Sequence, residues 1–404
     1  MARAAAARGP SGPAGPGECA RAVSALGRRF LWREALAAVA EAGRRGLELD
    51  MVALSAAVDA CGKGRQWTRA LELLRRMESA GLRPNAIAHN AALSACGRAS
   101  EWERALALLS HMLVSGPHPT VVTYNAAVTA CSQACEWQWA ADLPGKMREA
   151  RLEPNVVTFN AAITACEKGQ RWEWAMQFLV TMAGKHVAPD VISYSAAISA
   201  CEKSHEWEHA LLLLGELLRA GLQPDTIICN AAISACDQGH QWQRAVWLLG
   251  AMCGGGPRPN VVSYSAAISA CKKCAEVVPA LRLLREMRLQ RLQPGVIACN
   301  AAISACEKAG EWQEALRLLQ DAGPLADPVT YSAAVRACER GRQWPLALSL
   351  LRSMSHAGLE PDAVSCCAAL GACREEARHA ESSLLLGEAR GRTLAALRCG
   401  AAGS

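Results

Sequence analysis

The chain has 404 residues, 51% of them hydrophobic, and a formal charge of +6. That charge is too small by itself to announce a polyanion partner, and no run approaches the ~18 apolar residues that a membrane span needs, so a soluble chain without a membrane partner is expected. The 19 cysteines fall too regularly to be a disulfide framework, which points to a reducing compartment.

Residues 1–15 are rich in Ala, Arg, Pro and Gly, with no acid before Glu18. An organelle transit peptide and a disordered leader share that composition. Residues 16–50 keep Trp32 in phase with the later Trp residues but little else, and read as a degenerate N-terminal capping repeat. From Met51 to Asp362 one 35-residue text is then written nine times, with copies starting at Met51, Ala86, Val121, Val156, Val191, Thr226, Val261, Val296 and Pro328. The eighth copy is three residues short. Asn160-Ala-Ala-Ile-Thr-Ala-Cys166 returns as Asn230-Ala-Ala-Ile-Ser-Ala-Cys236 and Asn300-Ala-Ala-Ile-Ser-Ala-Cys306. Cysteine recurs at one phase, at Cys61, Cys96, Cys131, Cys166, Cys201, Cys236, Cys271, Cys306, Cys338 and Cys373. Six residues after most of these comes a Trp, at Trp67, Trp102, Trp137, Trp172, Trp207, Trp242, Trp312 and Trp344. Residues 363–397 keep Cys373 and then lose the pattern, as a C-terminal capping repeat would, and 398–404 are a tail. Repeats of this length mean stacked units that bury apolar faces against their neighbours, hence one domain.

Each copy reads as two helices. In the copy that starts at Val156, Phe159, Ala162, Ile163 and Cys166 make one apolar stripe, and Trp172, Ala175, Met176, Leu179 and Met182 make a second. Glu167-Lys168-Gly169-Gln170-Arg171 supplies a polar turn between them. Endings such as Gly81-Leu-Arg-Pro84 and Gly221-Leu-Gln-Pro224 stop the second helix, Gly by a left-handed conformation and Pro by forbidding continuation. Ala in the first helix allows close backbone approach, and the Trp is expected to fill the space between units.

The period, the Val-Thr-Tyr-Asn opening at Val122 to Asn125, the Ala-Leu-x-Leu-Leu run and the closing Pro189-Asp190 together resemble the pentatricopeptide repeat family. The tetratricopeptide alternative has a 34-residue period and a Trp-Leu-Gly-Tyr first helix that is absent here. The resemblance implies an all-α fold, a right-handed α-solenoid (superhelix) of helix-turn-helix repeats. Its first helices would line a groove for single-stranded RNA, about one nucleotide per repeat.

Two positions vary in an otherwise near-constant text, the fifth and the last of each copy. The pairs are Ser55 with Asn85, Asn90 with Thr120, Asn125 with Asn155, Asn160 with Asp190, Ser195 with Asp225, Asn230 with Asn260, Ser265 with Gly295, Asn300 with Asp327 and Ser332 with Asp362. In the family these pairs read bases, and the chemistry agrees. Ionised Asp only accepts hydrogen bonds and suits the ring N–H of guanine or uracil, whereas Asn can donate to adenine or cytosine. Short Ser leaves room for a purine. The implied target is 5′-A-N-Y-U-G-Y-N-U-G-3′, with the second and seventh letters open and the register of the shortened eighth copy in doubt. The plainer alternative is helix capping by Ser or Asn and turn chemistry by Asp or Asn.

The second residue is aliphatic, as in Val122, Val157, Ile192, Ile227, Val262 and Ile297. In the family such residues sandwich the base; ordinary inter-repeat core is the alternative. The thirteenth is basic at Lys63, Arg98, Lys168, Lys203, Lys273, Lys308 and Arg340, either a ladder tracking phosphates or cations placed at helix C-termini.

His205-Glu206-Trp207-Glu208-His209 fits the zinc-protease pattern HExxH, but His205 falls in a turn and no third ligand is marked. Cys271-Lys-Lys-Cys274 is a CxxC whose first member belongs to the cysteine column. Residues after Asp362 are too few for a deaminase or nuclease domain. A monomeric, non-catalytic RNA-binding protein of organellar RNA metabolism is therefore expected, chloroplast before mitochondrion. It would use no cofactor, metal or small-molecule substrate, and recruited RNA-processing proteins would do any chemistry. A peptide-binding helical scaffold is the competing reading.

Overall fold

The computed structural model describes residues 16–45, 50–114, 116–323 and 326–375. The expected leader at 1–15, the part of the expected C-terminal cap beyond residue 375 and the tail at 398–404 lie outside the described residues, as does the side chain of Cys373. Among the described residues every regular element is a helix. None is long and apolar enough to cross a membrane.

The chain divides into two units, Met1–Ser204 and His205–Ser404. The first holds α1 (Pro16–Arg28), α2 (Trp32–Arg44), α3 (Met51–Lys63), α4 (Trp67–Ser79), α5 (Ala86–Arg98), α6 (Trp102–Val114), α7 (Val121–Gln133), α8 (Trp137–Glu149), α9 (Val156–Lys168), α10 (Trp172–Gly184) and α11 (Val191–Lys203). The second holds α12 (Trp207–Arg219), α13 (Thr226–Gln238), α14 (Trp242–Cys253), α15 (Val261–Lys273), α16 (Val277–Leu289), α17 (Val296–Ala309), α18 (Trp312–Ala322), α19 (Pro328–Arg340), α20 (Trp344–His356) and α21 (Ala363–Glu375). Within each unit the odd-numbered helices pack side by side in chain order, and the even-numbered helices lie on the odd helices before and after them, α12 packing within its unit on α13. Both units are thus two-layered stacks of helix-turn-helix repeats.

Small residues set the spacing of the odd layer. The seventh and tenth residues of every copy are Ala, and pairs such as Ala162 and Ala165 are 0% exposed. Gly62 shows how close the backbones come, since a Cβ added there would lie 3.2 Å from the carbonyl oxygen of Ala91 in the next odd helix. The cysteine column lies in the same layer, fully buried from Cys61 to Cys338. Burial pushes the thiols of Cys131, Cys166 and Cys271 up to about 12, so they pack as small apolar groups rather than react.

The turn between the two helices of a copy differs from the expected one. Glu167 and Lys168 still belong to α9, and the left-handed residue is Gln170 at φ 54°, not Gly169. Gly169 serves a packing purpose instead: a Cβ there would lie 2.5 Å from Cδ1 of Trp137 in the preceding copy. Gly64, Gly239 and Gly341 meet Trp32, Trp207 and Trp312 in the same way. The Trp column begins every even helix except α16, which starts at Val277, and is only half-buried, so it roofs the junction between copies rather than filling it. At the other end Gly81 and Gly221 take φ 73°, as expected for helix stops.

Two substitutions test this packing by urea denaturation of the full chain. Ala165→Leu overfills the odd layer and should cost about 1–3 kcal/mol. Gln170→Gly relieves a left-handed side-chain position and should stabilise by about 0.5–1 kcal/mol.

Candidate functional site

The last residue of a copy directly precedes the next odd helix and caps it. Side chains of Asp50, Asn85, Thr120, Asn155, Asp190, Asp225, Asn260 and Asp327 each accept the backbone N–H three residues on. Asp362 does the same for Ser365 at 2.8 Å. Gly295, lacking a side chain, makes no such bond. Helix capping, expected in the plainer alternative from the fifth residue, is thus supplied by the last, for which turn chemistry was the expectation. The fifth lies one turn inside each odd helix.

The close odd layer brings the two variable positions together. Asn160 Nδ2 donates to Asp190 Oδ1 at 3.1 Å, Asn125 Nδ2 to Asn155 Oδ1 at 3.4 Å and Asn230 Nδ2 to Asn260 Oδ1 at 3.4 Å. Asn300 Nδ2 reaches Asp327 Oδ1 at 3.1 Å, so the eighth copy keeps the register of the others despite its shorter length. Most of the shortening falls at the end of α18, which is 11 residues long against 13 for most of the helices. Ser332 Oγ donates to Asp362 at 3.2 Å.

A third participant has no counterpart among the sequence expectations. At four junctions a hydroxyl at the third residue of the next copy donates to the fifth-position amide oxygen: Thr158 to Asn125, Ser193 to Asn160, Ser263 to Asn230 and Thr330 to Asn300, each at 2.5 Å; Thr123, which follows Asn90, bonds to Thr120 instead. An amide oxygen held this way fixes which end of the Asn faces the capping residue. The same hydroxyl closes a capping box with the last residue. Where the fifth residue is Ser55 or Ser265, the matching third residue is Ala88 or Ala298 and no such bond forms; Ser265 turns back to the Val261 carbonyl at 2.7 Å. Ser55 Oγ and Asn90 Oδ1 are buried without a hydrogen-bond partner.

Burial alone would raise the Asp190 carboxyl, but hydrogen bonds from Ser193, Asn160 and the Ile192 amide overcome it and hold it below the usual range. Asp327 and Asp362 are lowered by the same balance. All three are ionised at neutral pH.

Beside this row the second-position side chains are exposed, not core. Val122 is 62% exposed, and Ile297 reaches 73%. The row is longer than the six residues named from sequence, because Val52, Ile87, Val329 and Val364 are also exposed. The basic row is less free. Lys63 pairs with Asp59 at 2.7 Å, Lys203 with Glu167 at 2.8 Å, Lys273 with Asp237 at 3.2 Å and Arg340 with Glu307 at 3.9 Å. Arg98, Lys168 and Lys308 are the cations of that row given no ion pair among the described residues; Lys308 Nζ lies 3.5 Å from the Lys273 carbonyl.

Family models match this repeated text over most of its length. The pentatricopeptide repeat domain matches residues 38–99, 107–169 and 212–273. A PPR repeat family model matches 154–203, and a single PPR repeat matches 87–117, 192–222, 262–292, 297–321 and 329–359. The chain belongs to the pentatricopeptide repeat family. The crystal structure of the pentatricopeptide repeat protein PPR10 from maize has the same fold, with a TM-score of 0.51 at 19% identity over 93% of this chain and 64% of that one. PPR10 in complex with an 18-nt psaJ RNA element gives 0.47 at 23% identity over 94% and 54%. The PPR domain of Arabidopsis thaliana protein-only RNase P 1 in complex with tRNA gives 0.39 at 18% identity over 46% and 95%. This pentatricopeptide chain thus spans less than two thirds of the PPR10 chains it resembles. No curated protein sequence matches it.

Neither enzyme-like motif assembles in this pentatricopeptide chain. His205 is an exposed turn residue at φ 64°, off the helix that carries His209, so the two imidazoles are not one helical turn apart. Cys271 is buried, and Cys274 Sγ lies 3.3 Å from the His240 carbonyl.

Two measurements test the network. Ser193→Ala removes the hydroxyl shared by Asn160 and Asp190 and should cost about 0.5–1.5 kcal/mol in chemical denaturation. The lowered Asp carboxyls stabilise the fold above the ordinary carboxylate pKa, and that contribution is lost as pH falls through their folded values. Melts should therefore be flat from about pH 5 to 8 in respect of these groups and fall below about pH 4, less steeply in Asp190→Asn.

Proposed function

We propose that this pentatricopeptide array binds single-stranded RNA, about one nucleotide per repeat, with the fifth and last side chains of each copy reading the base. One observation carries the reading: at four junctions these two variable side chains, Asn125 with Asn155, Asn160 with Asp190, Asn230 with Asn260 and Asn300 with Asp327, meet beside an exposed aliphatic residue. A base entering there would find an apolar edge to pack on and a hydrogen-bonding pair already held in place, which lowers the ordering cost of recognition. PPR10, similar in fold, is described in complex with an RNA element.

Capping and reading are compatible on one side chain. A cap uses one carboxylate oxygen, and an ionised Asp has about four acceptor sites in all. Asp190, Asp225, Asp327 and Asp362 would then accept from the ring N–H of uracil or guanine, giving the target 5′-A-N-Y-U-G-Y-N-U-G-3′. The array would act without chemistry of its own, by shielding RNA or recruiting an enzyme. An organelle, chloroplast before mitochondrion, is the setting we propose on the composition of residues 1–17.

Binding of this nine-mer against a scrambled RNA tests the function, and equal affinity for the two would sink it. Asn160→Ser should move preference at the fourth nucleotide from U toward G, by about 1–3 kcal/mol of discrimination if hydrogen-bond readout here resembles other base contacts. Ion pairs occupy four of the seven row cations, so the logarithmic salt slope should lie near about −2, set by Arg98, Lys168 and Lys308, rather than about −5.

A further inference from the structure

Junctions between copies bring together the twenty-eighth residue of one copy and the fourth and twenty-sixth of the next. The contacts recur with different chemistry. Arg288 and Asp321 form an ion pair at 2.9 Å, at the twenty-eighth and twenty-sixth positions. Tyr264 Oη donates to Glu286 at 3.3 Å with Cys253 Sγ 3.7 Å away, which fills all three positions. At the junction between the copies starting at Met51 and Ala86, the same three positions hold Glu78, His89 and His111.

There the donor atoms of all three residues lie within 4.8 Å of one another. His89 stands where neighbouring copies carry Tyr124, Phe159, Tyr194 and Tyr264, and it is 1% exposed. Its Nδ1 lies 3.1 Å from the Asn85 carbonyl, which can only accept, so the proton is on Nδ1. Nε2 then carries a lone pair, and it is buried without a hydrogen-bond partner. A buried, unsatisfied imidazole nitrogen costs free energy unless something accepts its lone pair. The arrangement is that of a metal-ligating histidine oriented by a backbone carbonyl.

We infer that Glu78, His89 and His111 bind a divalent transition-metal ion, Zn2+ by preference, across the junction of these two copies. Two imidazoles and one carboxylate match zinc's donor preference and leave a fourth position for water or a partner's ligand. Zinc bonds of about 2.0–2.1 Å need donors about 3.3 Å apart, a contraction that the exposed Glu78 and His111 side chains can make toward the fixed His89. No sequence motif marks the site, because its ligands lie 11 and 22 residues apart on three helices, α4, α5 and α6. The HExxH segment that does look like a motif is not assembled.

The test is titration of the full, metal-stripped chain under reducing conditions with Zn2+ by calorimetry, and with Co2+ followed by visible absorption. Wild type should take up one ion at this site, with cobalt bands of nitrogen and oxygen ligation and no thiolate charge-transfer band. His89→Tyr restores the residue type of neighbouring copies and should fold normally by circular dichroism. It should lose that ion, as judged by both titrations; His111→Gln and Glu78→Gln should weaken it at least about tenfold. Absence of binding by wild type would overturn the inference. So would unchanged affinity and cobalt spectrum in a folded His89→Tyr protein, since the ion would then be held elsewhere, for example by exposed cysteines.

Discussion

A floor of fully buried alanine governs how near successive odd helices can stand. With methyl groups at the seventh and tenth positions, neighbouring backbones approach to van der Waals contact, and a side chain from one copy can reach the next with a single short hydrogen bond. The 2.5 Å bonds from Thr158, Ser193, Ser263 and Thr330 exist only because of that spacing. Larger residues would separate the helices and break the row of fifth and last side chains into isolated pairs. Packing density and candidate recognition geometry are thus one property of the odd layer.

The last residue of each copy joins two demands that are often treated as rivals. As a cap it satisfies an otherwise orphaned backbone N–H, which holds its oxygen in a fixed place. A fixed polar atom is what recognition of a base edge requires, since little entropy remains to be lost when the partner arrives. The hydrogen bonds that lower the Asp190, Asp327 and Asp362 carboxyls keep them as pure acceptors at neutral pH. Gly295 has no side chain to cap the next helix, nor one for the base reading proposed.

Repetition also makes departures informative. The junction formed by the twenty-eighth, fourth and twenty-sixth positions carries an ion pair in one place, a Tyr-Glu-Cys cluster in another and two histidines with a glutamate in a third. Because the backbone frame is common to all, the differences lie in side-chain chemistry alone. The ion pairs of Lys203 with Glu167 and Lys273 with Asp237 teach the reverse lesson: a residue repeated at one phase can be explained by its neighbour in the preceding copy rather than by a ligand.

Periodicity was enough to determine the helix pairs, their order and the buried Ala and Cys columns, because each of these depends on residues close in sequence or on a fixed repeat phase; that the last residue, not the fifth, caps the odd helices came from the structure. The fifth and last positions could be picked out as variable by the same route; the hydroxyl at the third position was missed, although it accompanies Asn five residues into the preceding copy and that pairing is the signal that would have found it. Tertiary structure alone decided that Val122 and Ile297 face solvent, that Gln170 rather than Gly169 turns the chain, and that four cations of the basic row are engaged by carboxylates. It also decided that Glu78, His89 and His111 converge while His205 and His209 do not. The physical reason is common to these cases. A repeat phase fixes which face of a helix a residue occupies, but the exposure and partners of that face depend on how closely the next helix stands.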